Sequence, residues 1–315
     1  MIVATVLTMG QFTRAEVSFA SDGGQRSGHL YRPDVSHPVP CVVMCSGFGS
    51  TMDRLFGWAE AFADAGLAAL VFDYGSFGRS EGDPRQVVDL DGQLADVRAA
   101  VACARANEAV DADRIVLWGN SLGGAHAVTA AADDSRIAAV VAQIPFNGFP
   151  RRVEGRSTAQ SLRLMAAIVW DALRGKLGLT PHYIPLVGEP GEGAITNAAG
   201  AEDHVRTLSG GNSLWRNQVA PRGILQMMRY RPAEAAARLT VPLLVCLATE
   251  DAETPVALSS QLAERAPHGR LKLYPGTHFS FYTDPTTRRT VATDQIAFIQ
   301  EVLCLTPPAM RFTHG

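Results

Sequence analysis

Short apolar runs alternate with segments of helical periodicity along much of the chain. Apolar runs of strand length occupy residues 41–45, 67–72, 114–118 and 137–144. Helical spacing fills the intervals at about 55–65, 90–106 and 122–132. Strands separated by helices form βα units, and repeated units build a mostly parallel sheet with helices on both faces. The chain is therefore predicted to be an α/β protein.

This rhythm breaks in the middle of the chain and later resumes. From about 146 to 238 no clean strand is predicted, although apolar residues recur at helical spacing around 162–173 and a helical segment is expected near 224–230. Strands return at 241–248 and 271–274, with helices at 255–266 and 289–303. For 315 residues, one large domain with an insertion is the best fit. We expect a core formed by 1–145 and 239–315, with 146–238 as a largely helical cap.

The composition restricts the classes of partner. Hydrophobic residues make up 47% of the chain and charged residues 19%, which argues against disorder. The net charge is −3 and no block of Lys and Arg occurs, so no nucleic-acid partner is expected. No run approaches the roughly 18 to 20 apolar residues of a membrane helix, so no membrane partner is expected. A small molecule remains, and the sequence leaves a homodimer as an open alternative.

The cysteines and the first residues indicate the compartment. The five cysteines are scattered, and no CxxC or metal-ligand spacing occurs. Cys41, Cys45 and Cys246 lie in strand-like runs, so we expect buried free thiols and no bound metal. The N-terminal apolar run has no basic segment before it and is broken at Thr8 and Gln11, so no signal peptide is predicted. These features together predict a cytoplasmic protein.

A G-x-S-x-G sequence at 119–123 follows one predicted strand and opens a predicted helix. A sharp strand-to-helix turn holds its serine in a strained conformation at the helix N-terminus, where an anion is favoured. Gly119 and Gly123 would let strand and helix approach without a Cβ clash. A serine that merely caps a helix gives the same five residues. The position between a strand and a helix favours Ser121 as a nucleophile.

A serine hydroxyl needs a base to take its proton. His278 follows the last predicted strand, and loops at the carboxyl ends of parallel strands line active-site crevices. His126 lies five residues after Ser121 on the same predicted helix and is expected to be packed or exposed rather than catalytic. We therefore predict His278 as the base.

The acid of such a site should lie between the serine and the histidine in the chain. Asp251 and Glu250 both lie in the loop after the strand at 241–248, and spacing alone separates them poorly. Asp251 is the first candidate, whereas Glu253 is expected to offset the dipole of the next helix. The acid would accept a hydrogen bond from Nδ1 of the base and fix its tautomer.

The turn Ser46-Gly47-Phe48-Gly49 follows the first central strand. Its backbone could aim N–H groups at a developing negative charge, and the expected donors are the N–H groups of Phe48 and Leu122. Loss of one such donor typically costs on the order of 3 kcal/mol of transition-state stabilisation. The Ser46 hydroxyl could donate a further hydrogen bond or stabilise the turn.

Five motifs occur in a characteristic order: the turn at 46–49, Phe-Asp-Tyr-Gly-Ser-Phe-Gly-Arg-Ser at 72–80, the serine turn at 119–123, Thr-Glu-Asp at 249–251 with Pro255, and Tyr-Pro-Gly-Thr-His-Phe at 274–279. On these motifs the chain resembles the α/β-hydrolase superfamily over about 16–303. It is most similar to bacterial serine esterases of the dienelactone-hydrolase-like and acetyl-xylan-esterase-like groups. The family's acid is usually the aspartate four residues before a proline, which favours Asp251.

The chain departs from this resemblance at two points. The family often has histidine where this chain has Ser46, and dienelactone hydrolases proper use a cysteine nucleophile. Haloalkane dehalogenases and epoxide hydrolases have a similar fold but need a carboxylate where this chain has Ser121. The resemblance thus implies an α/β-hydrolase fold and a serine enzyme.

The resemblance implies a hydrolase that cleaves a carboxylic ester, thioester or lactone through an acyl-enzyme on Ser121, with no cofactor. An acyltransferase with the same triad and a non-catalytic small-molecule-binding protein are the alternatives. Trp215, Met227 and Phe279 are predicted to line the acyl pocket. Trp170, Met228 and Tyr183 are further candidates, although packing within the cap would explain such residues equally well.

Overall fold

The computed structural model describes residues 7–9, 12–150, 157–189, 192–197, 205 and 213–305. The strands within this part of the chain are, in order, β1 (Leu7–Met9), β2 (Phe12–Ser21), β3 (Gly24–Pro33), β4 (Val39–Cys45), β5 (Ala68–Phe72), β6 (Val110–Asn120), β7 (Ile137–Gln143), β8 (Val187–Gly188), β9 (Thr196–Asn197), β10 (Leu243–Ala248) and β11 (Gly269–Tyr274).

The helices of the described residues are, in order, α1 (Phe56–Asp64), α2 (Leu90–Arg105), α3 (Leu122–Ala132), α4 (Thr158–Lys176), α5 (Gly223–Met227), α6 (Pro232–Ala236), α7 (Val256–Ser259), α8 (Gln261–Arg265), α9 (Ser280–Thr283) and α10 (Pro285–Val302). A short 3-10 helix, Met52–Leu55, precedes α1. Of these described helices, none has the length and apolar character needed to cross a bilayer.

Nine of the described strands form one sheet in the order β1-β2-β3-β5-β4-β6-β7-β10-β11. The strands β1, β2 and β3 are antiparallel, and β3 also pairs antiparallel with β5. All pairings from β5 to β11 are parallel. The sheet is therefore mostly parallel and flanked by helices, which confirms the predicted α/β-hydrolase fold class.

Helices cover both faces of the parallel strands, and the apolar sequence of β4 allows its residues to be buried on both faces. Cys41 and Val43 belong to the core beside α2 and α3, whereas Val42 and Met44 belong to the core beside α1 and α10. Neighbouring residues of a strand point to opposite faces, so a strand buried on both faces needs a continuous apolar run. Full burial of each such side chain contributes about 1.5 to 3 kcal/mol.

Several described elements differ from the sequence-based expectation. The strands β8 and β9 pair within 146–238, where no clean strand is predicted, and two residues are too few to show strand periodicity. The helix α6 is also too short for a helical pattern. The helix predicted at 255–266 is divided into α7 and α8. At this break the Ser259 hydroxyl donates to backbone carbonyls, an arrangement that competes with regular helix.

Candidate active site

Four loops meet at the carboxyl edge of the sheet. They follow β4, β6, β10 and β11 and begin at Ser46, Ser121, Thr249 and Pro275. Because parallel strands end at a shared edge, these loops bring together residues that are distant in sequence. All the predicted catalytic and oxyanion residues lie on these four loops or at the start of α3.

Ser121 occupies the sharp turn between β6 and α3. Its φ of 52° and ψ of −121° lie in a region that non-glycine residues rarely adopt. Strain of this kind costs on the order of 1 to 3 kcal/mol and persists only where the surroundings fix it. The Ser121 N–H donates to the Gln143 carbonyl at 2.9 Å, and the Ser121 carbonyl accepts from the N–H groups of Gly124 and Phe146, both at 3.0 Å.

The flanking glycines allow this turn to pack closely. A Cβ at Gly123 would collide with the carbonyl oxygens of Cys45 and Ser46, and one at Gly119 would collide with the Gly123 carbonyl group. A Cβ at Gly47 would lie 3.3 Å from that of Ser121. The glycines thus bring α3, β6 and the turn after β4 into contact around the serine.

His278 and Asp251 are paired below the cavity that Ser121 faces. The distance between His278 Nδ1 and Asp251 Oδ2 is 2.8 Å. The Asp251 side chain is fully buried and that of His278 is 8% exposed. Because an ionised carboxylate only accepts, Nδ1 carries the hydrogen and Nε2 can act as an acceptor. The rival Glu250 is exposed to solvent, and its N–H donates to the Gly276 carbonyl.

Thr254 helps to hold the Asp251 carboxylate. Asp251 Oδ1 accepts from the N–H groups of Glu253 at 2.9 Å and Thr254 at 2.7 Å. The Thr254 hydroxyl lies 2.8 Å from Asp251 Oδ2, 3.1 Å from the Ile144 carbonyl and 3.3 Å from His278 Nδ1. Thr254 was not among the site residues predicted from sequence. A hydroxyl residue three positions after an aspartate is typical of a local turn held by the aspartate side chain. The spacing of Asp251 and Thr254 was therefore the sequence feature that could have identified Thr254.

Ser121 and His278 line the same cavity, which has a volume of about 350 Å³. The predicted pocket residues Trp215, Met227 and Phe279 line it too, as does Met228. The lining set that sequence reasoning missed is mostly apolar and includes Phe146, Leu164, Ile168, Leu186, Ile195 and Ile224. The cavity is thus suited to an apolar group.

Two of the further pocket candidates lie elsewhere. Trp170 is exposed on α4, under the Arg174 guanidinium. The Tyr183 hydroxyl donates to the Arg85 carbonyl. Helical periodicity places Trp170 around the axis of α4 but leaves open which side of that helix faces the cavity. Tyr183 lies outside the described helices, where this pattern gives no direction.

The two predicted oxyanion donors belong to the turn after β4 and to the start of α3. Phe48 lines the cavity, and Leu122 is the first residue of α3. Within the described part of the chain, neither backbone N–H has a protein acceptor. The buried Ser46 hydroxyl also lacks a partner among the described residues, so neither role suggested for it has a contact here.

Asp73 anchors the segment that follows the Phe48 turn. Its Oδ1 accepts from the Met52 N–H at 2.8 Å and its Oδ2 from the Arg79 N–H at 2.9 Å. Burial raises the pKa of this carboxyl group, and the two N–H donors oppose that shift. Asp73 belongs to the 72–80 motif, for which the sequence predicted no role at the site.

Polar groups at the cavity wall are few and mostly paired. Arg54 binds Asp53 through its Nη2 at 2.6 Å, and Glu253 Oε2 accepts from the Thr196 hydroxyl at 3.1 Å. Burial, and then the Asp251 charge, raise the pKa of Tyr282, whose hydroxyl accepts from Asn120 Nδ2 at 3.1 Å. Among the residues the structure describes, no three His, Cys, Asp or Glu side chains gather where they could hold a metal ion.

His126 lies outside this cavity, in the core. Its Nδ1 is 3.0 Å from the Tyr230 hydroxyl, and its Nε2 is 3.0 Å from Gln93 Oε1. Burial lowers the pKa of His126 to about 3, so the imidazole is neutral at physiological pH. The residue links α2, α3 and the segment before α6 through hydrogen bonds.

A protein-family model matches most of the chain. The model, Hydrolase_4, is described as serine aminopeptidase, S33, and matches residues 36–286. The chain belongs to this family. It is therefore a hydrolase-family enzyme with the α/β-hydrolase fold, as the five motifs predict.

Relatives and solved structures agree with this membership. The chain is 37% identical to the quorum-quenching protein AidA of Acinetobacter baumannii (strain MDR-ZJ06), over 91% of this chain and 95% of the relative. It is 31% identical to the polyketide transferase ATR5 of Stachybotrys chlorohalonatus (strain IBT 40285), over 71% of this chain and 75% of the relative. The α/β-hydrolase GrgF from Penicillium sp. sh18 has a similar structure, with a TM-score of 0.77, 22% identity and coverage of 93% and 99%.

Proposed function

We propose that this enzyme cleaves a carboxylic ester, thioester or lactone through an acyl-enzyme on Ser121. His278 would act as the base, and Asp251 would orient it. One observation carries the proposal: a strained serine and a histidine paired with a buried carboxylate line a single apolar cavity. A merely structural serine turn would not need this convergence of three loops.

The proposed reaction has two acyl-transfer steps. His278 Nε2 takes the Ser121 proton while Oγ attacks the substrate carbonyl, and the N–H groups of Phe48 and Leu122 stabilise the oxyanion. The bond to the leaving alkoxide or thiolate breaks, and His278 returns the proton to that group. His278 then deprotonates a water molecule that attacks the acyl-enzyme, which releases the acid and regenerates Ser121.

The cavity supports an apolar acyl group as the part of the substrate that is recognised. Its volume is near the lower end of the range for small-ligand pockets, roughly 300 to 1,000 Å³. We therefore expect an acyl chain of intermediate length, in contact with Trp215, Met227 and Phe279. The similarity to a protein named for quorum quenching supports a small signalling molecule among the candidates.

The test is intact-mass spectrometry after incubation with a fluorophosphonate. Wild type should gain one adduct, Ser121→Ala should gain none, and Ser46→Ala should serve as the matched control that still reacts. A panel of p-nitrophenyl esters of increasing chain length, with matched thioesters and lactones, then ranks substrates by kcat/KM. A folded wild-type protein that forms no adduct and cleaves no panel member would support the non-catalytic binding protein instead.

Acyl transfer is the second candidate, because a relative over 71% of the chain is named as a polyketide transferase. The same acyl-enzyme would then be attacked by an alcohol or amine instead of water. Product analysis with increasing concentrations of added alcohol separates the two. A transferase forms mainly the new ester at low alcohol concentration, whereas a hydrolase forms mainly the acid.

Three broader proposals complete this picture. We propose that 146–238 acts as a cap over a core of 1–145 and 239–315, since α4 and Trp215 contribute to the cavity wall.

We also propose a cytoplasmic location, which the free thiols of all five cysteines support. Burial raises the pKa of Cys41, Cys45 and Cys246 to about 12, so these thiols are unreactive.

A further inference from the structure

The helix α4 has apolar residues on two opposite faces. Leu164 and Ile168 line the cavity from its inner face. Its outer face and C-terminal end carry a row of exposed apolar side chains, here called the outer stripe: Leu162, Met165, Val169, Trp170, Leu173 and Leu177. At about 100° per residue these cover an arc of roughly 140°. Leu162 is 66% exposed and Trp170 53%, and contiguous apolar surface of this kind marks an interaction site.

The exposed charged side chains of α4 itself are all basic. Within Thr158–Lys176, all of which the structure describes, the cations are Arg163, Arg174 and Lys176. The single carboxylate of this helix, Asp171, is buried and accepts hydrogen bonds from Arg222. The solvent-exposed face of α4 therefore combines an apolar arc with basic side chains and has no acidic side chain. Helices with this pattern bind the headgroup region of anionic membranes.

The basic charge of α4 and its continuity with the cavity favour a lipid surface over a protein. A second copy related by a two-fold axis would bring the same basic helix against itself, with repulsion between like charges. An acidic protein would match the cations but would also need a matching apolar surface. The stripe is also continuous with the cavity, because Met165 belongs to both, and the exposed residues Phe149 and Met228 line the cavity as well.

We propose that the outer stripe rests on an anionic lipid surface and that the acyl chain of the substrate enters the cavity from that surface. The docking surface stands without the proposed function, whereas the entry route rests on it. This proposal departs from the expectation of no membrane partner, which was based on the absence of an apolar run long enough to span a bilayer. An acyl chain taken up along Met165 would reach the cavity without crossing water.

The test measures binding of the whole protein to vesicles. Co-sedimentation compares vesicles of phosphatidylcholine that contain about one third phosphatidylglycerol, an anionic lipid, with vesicles of pure phosphatidylcholine. Trp170 provides a built-in reporter, since Trp58, Trp118 and Trp215, the other tryptophans of the described residues, are buried. We expect sedimentation and a blue shift of tryptophan emission with the anionic vesicles. Trp170→Phe should remove the blue shift while the protein still sediments.

Substitutions then assign the binding to the outer stripe. Leu162→Gln with Leu173→Gln should weaken partitioning about tenfold or more, since neither residue lines the cavity and both lose apolar contact with lipid. Arg163→Gln should weaken it by about fivefold. The matched control is Leu271→Gln with Leu273→Gln, two exposed apolar residues of β11, which should leave partitioning unchanged.

Hydrolysis of a short soluble ester, measured on the same samples, separates this inference from the proposed function. It should be equal in wild type and the Leu162→Gln, Leu173→Gln variant. The inference is overturned by absence of sedimentation, by equal binding to neutral vesicles, or by an unchanged partition in the stripe variant. It is also overturned if wild type forms a dimer that this variant abolishes and vesicles do not bind. Vesicle binding without ester hydrolysis would instead contradict the proposed function.

Discussion

Thr254→Val removes one hydroxyl beneath the proposed catalytic pair with almost no change in shape. In the wild type the Asp251 carboxylate accepts from the His278 ring, from two backbone N–H groups and from this hydroxyl. A hydrogen bond to a charged group contributes roughly 1.5 to 3 kcal/mol. The Thr254 hydroxyl has one hydrogen, so it donates either to Asp251 Oδ2 or to the Ile144 carbonyl oxygen, and the substitution removes both alternatives. If this hydrogen-bond energy serves to align the Asp251 carboxylate with His278 in the transition state, its loss should lower kcat about 10-fold to 100-fold.

The assay compares kcat and KM for a p-nitrophenyl ester in wild type, Thr254→Val and Thr254→Ser. Thr254 also lines the cavity, so a role in substrate contact would raise KM. A positioning role lowers kcat with KM nearly unchanged and also slows the fluorophosphonate reaction. Thr254→Ser keeps the hydroxyl and should stay within about threefold of wild type.

Two results would refute this reasoning. If Thr254→Val kept wild-type kcat, the backbone N–H groups of Glu253 and Thr254 would suffice to hold the acid. If Thr254→Ser lost as much activity as Thr254→Val, the methyl group rather than the hydroxyl would be the important contact. Urea unfolding of each variant at the assay pH confirms that the measured protein is folded.

Three further predictions follow from the structure. Asp251→Asn should lower kcat by roughly 10³-fold to 10⁴-fold with little change in Tm, and retention of activity would exclude Asp251 as the orienting acid. His126 has a folded pKa of about 3, below its unfolded value, so its contribution to stability is complete above about pH 6.5 and is lost as the pH falls. Between pH 7 and pH 5 the free energy of unfolding of the wild type, measured with urea, should therefore fall by about 2 kcal/mol. The free energy of unfolding of His126→Gln should fall by less over the same interval. Gly123→Ala should destabilise the protein by several kcal/mol, because the new Cβ would collide with the Cys45 carbonyl group. Gly193→Ala is the control and should be tolerated, because no other atom lies within 4 Å of the position of its Cβ. Equal melting temperatures for these two variants would contradict the effect of close packing at Gly123.

The serine turn shows how far a local pattern can predict structure. The order strand, G-x-S-x-G, helix is contiguous in sequence, and its steric demands are met within a few residues of Ser121. The structure has the positive φ at Ser121 and the tight glycine packing that the pattern predicts. The apolar runs of β4 to β7 were equally predictable, because burial on both faces leaves a continuous apolar sequence.

The pairing of His278 with an acid required more than local pattern. Asp251 and Glu250 are adjacent in sequence, and only the path of the loop after β10 turns one toward the imidazole and the other toward water. Thr254 has a local partner in Asp251, but its contacts with Ile144 and His278 join different loops. Asp73 likewise binds Met52 on the loop after another strand, so no single sequence window contains all the partners of either residue.

The sequence by itself determined that the chain is an α/β protein with Ser121 at a strained turn, because hydrophobic periodicity and glycine sterics are local. Only the tertiary structure decided which side of α4 faces the cavity, that Trp215 lines it while Trp170 faces solvent, and that Asp251 pairs with His278. The period of a helix fixes angles around its own axis. The direction of each face is fixed by packing against segments far away in the chain.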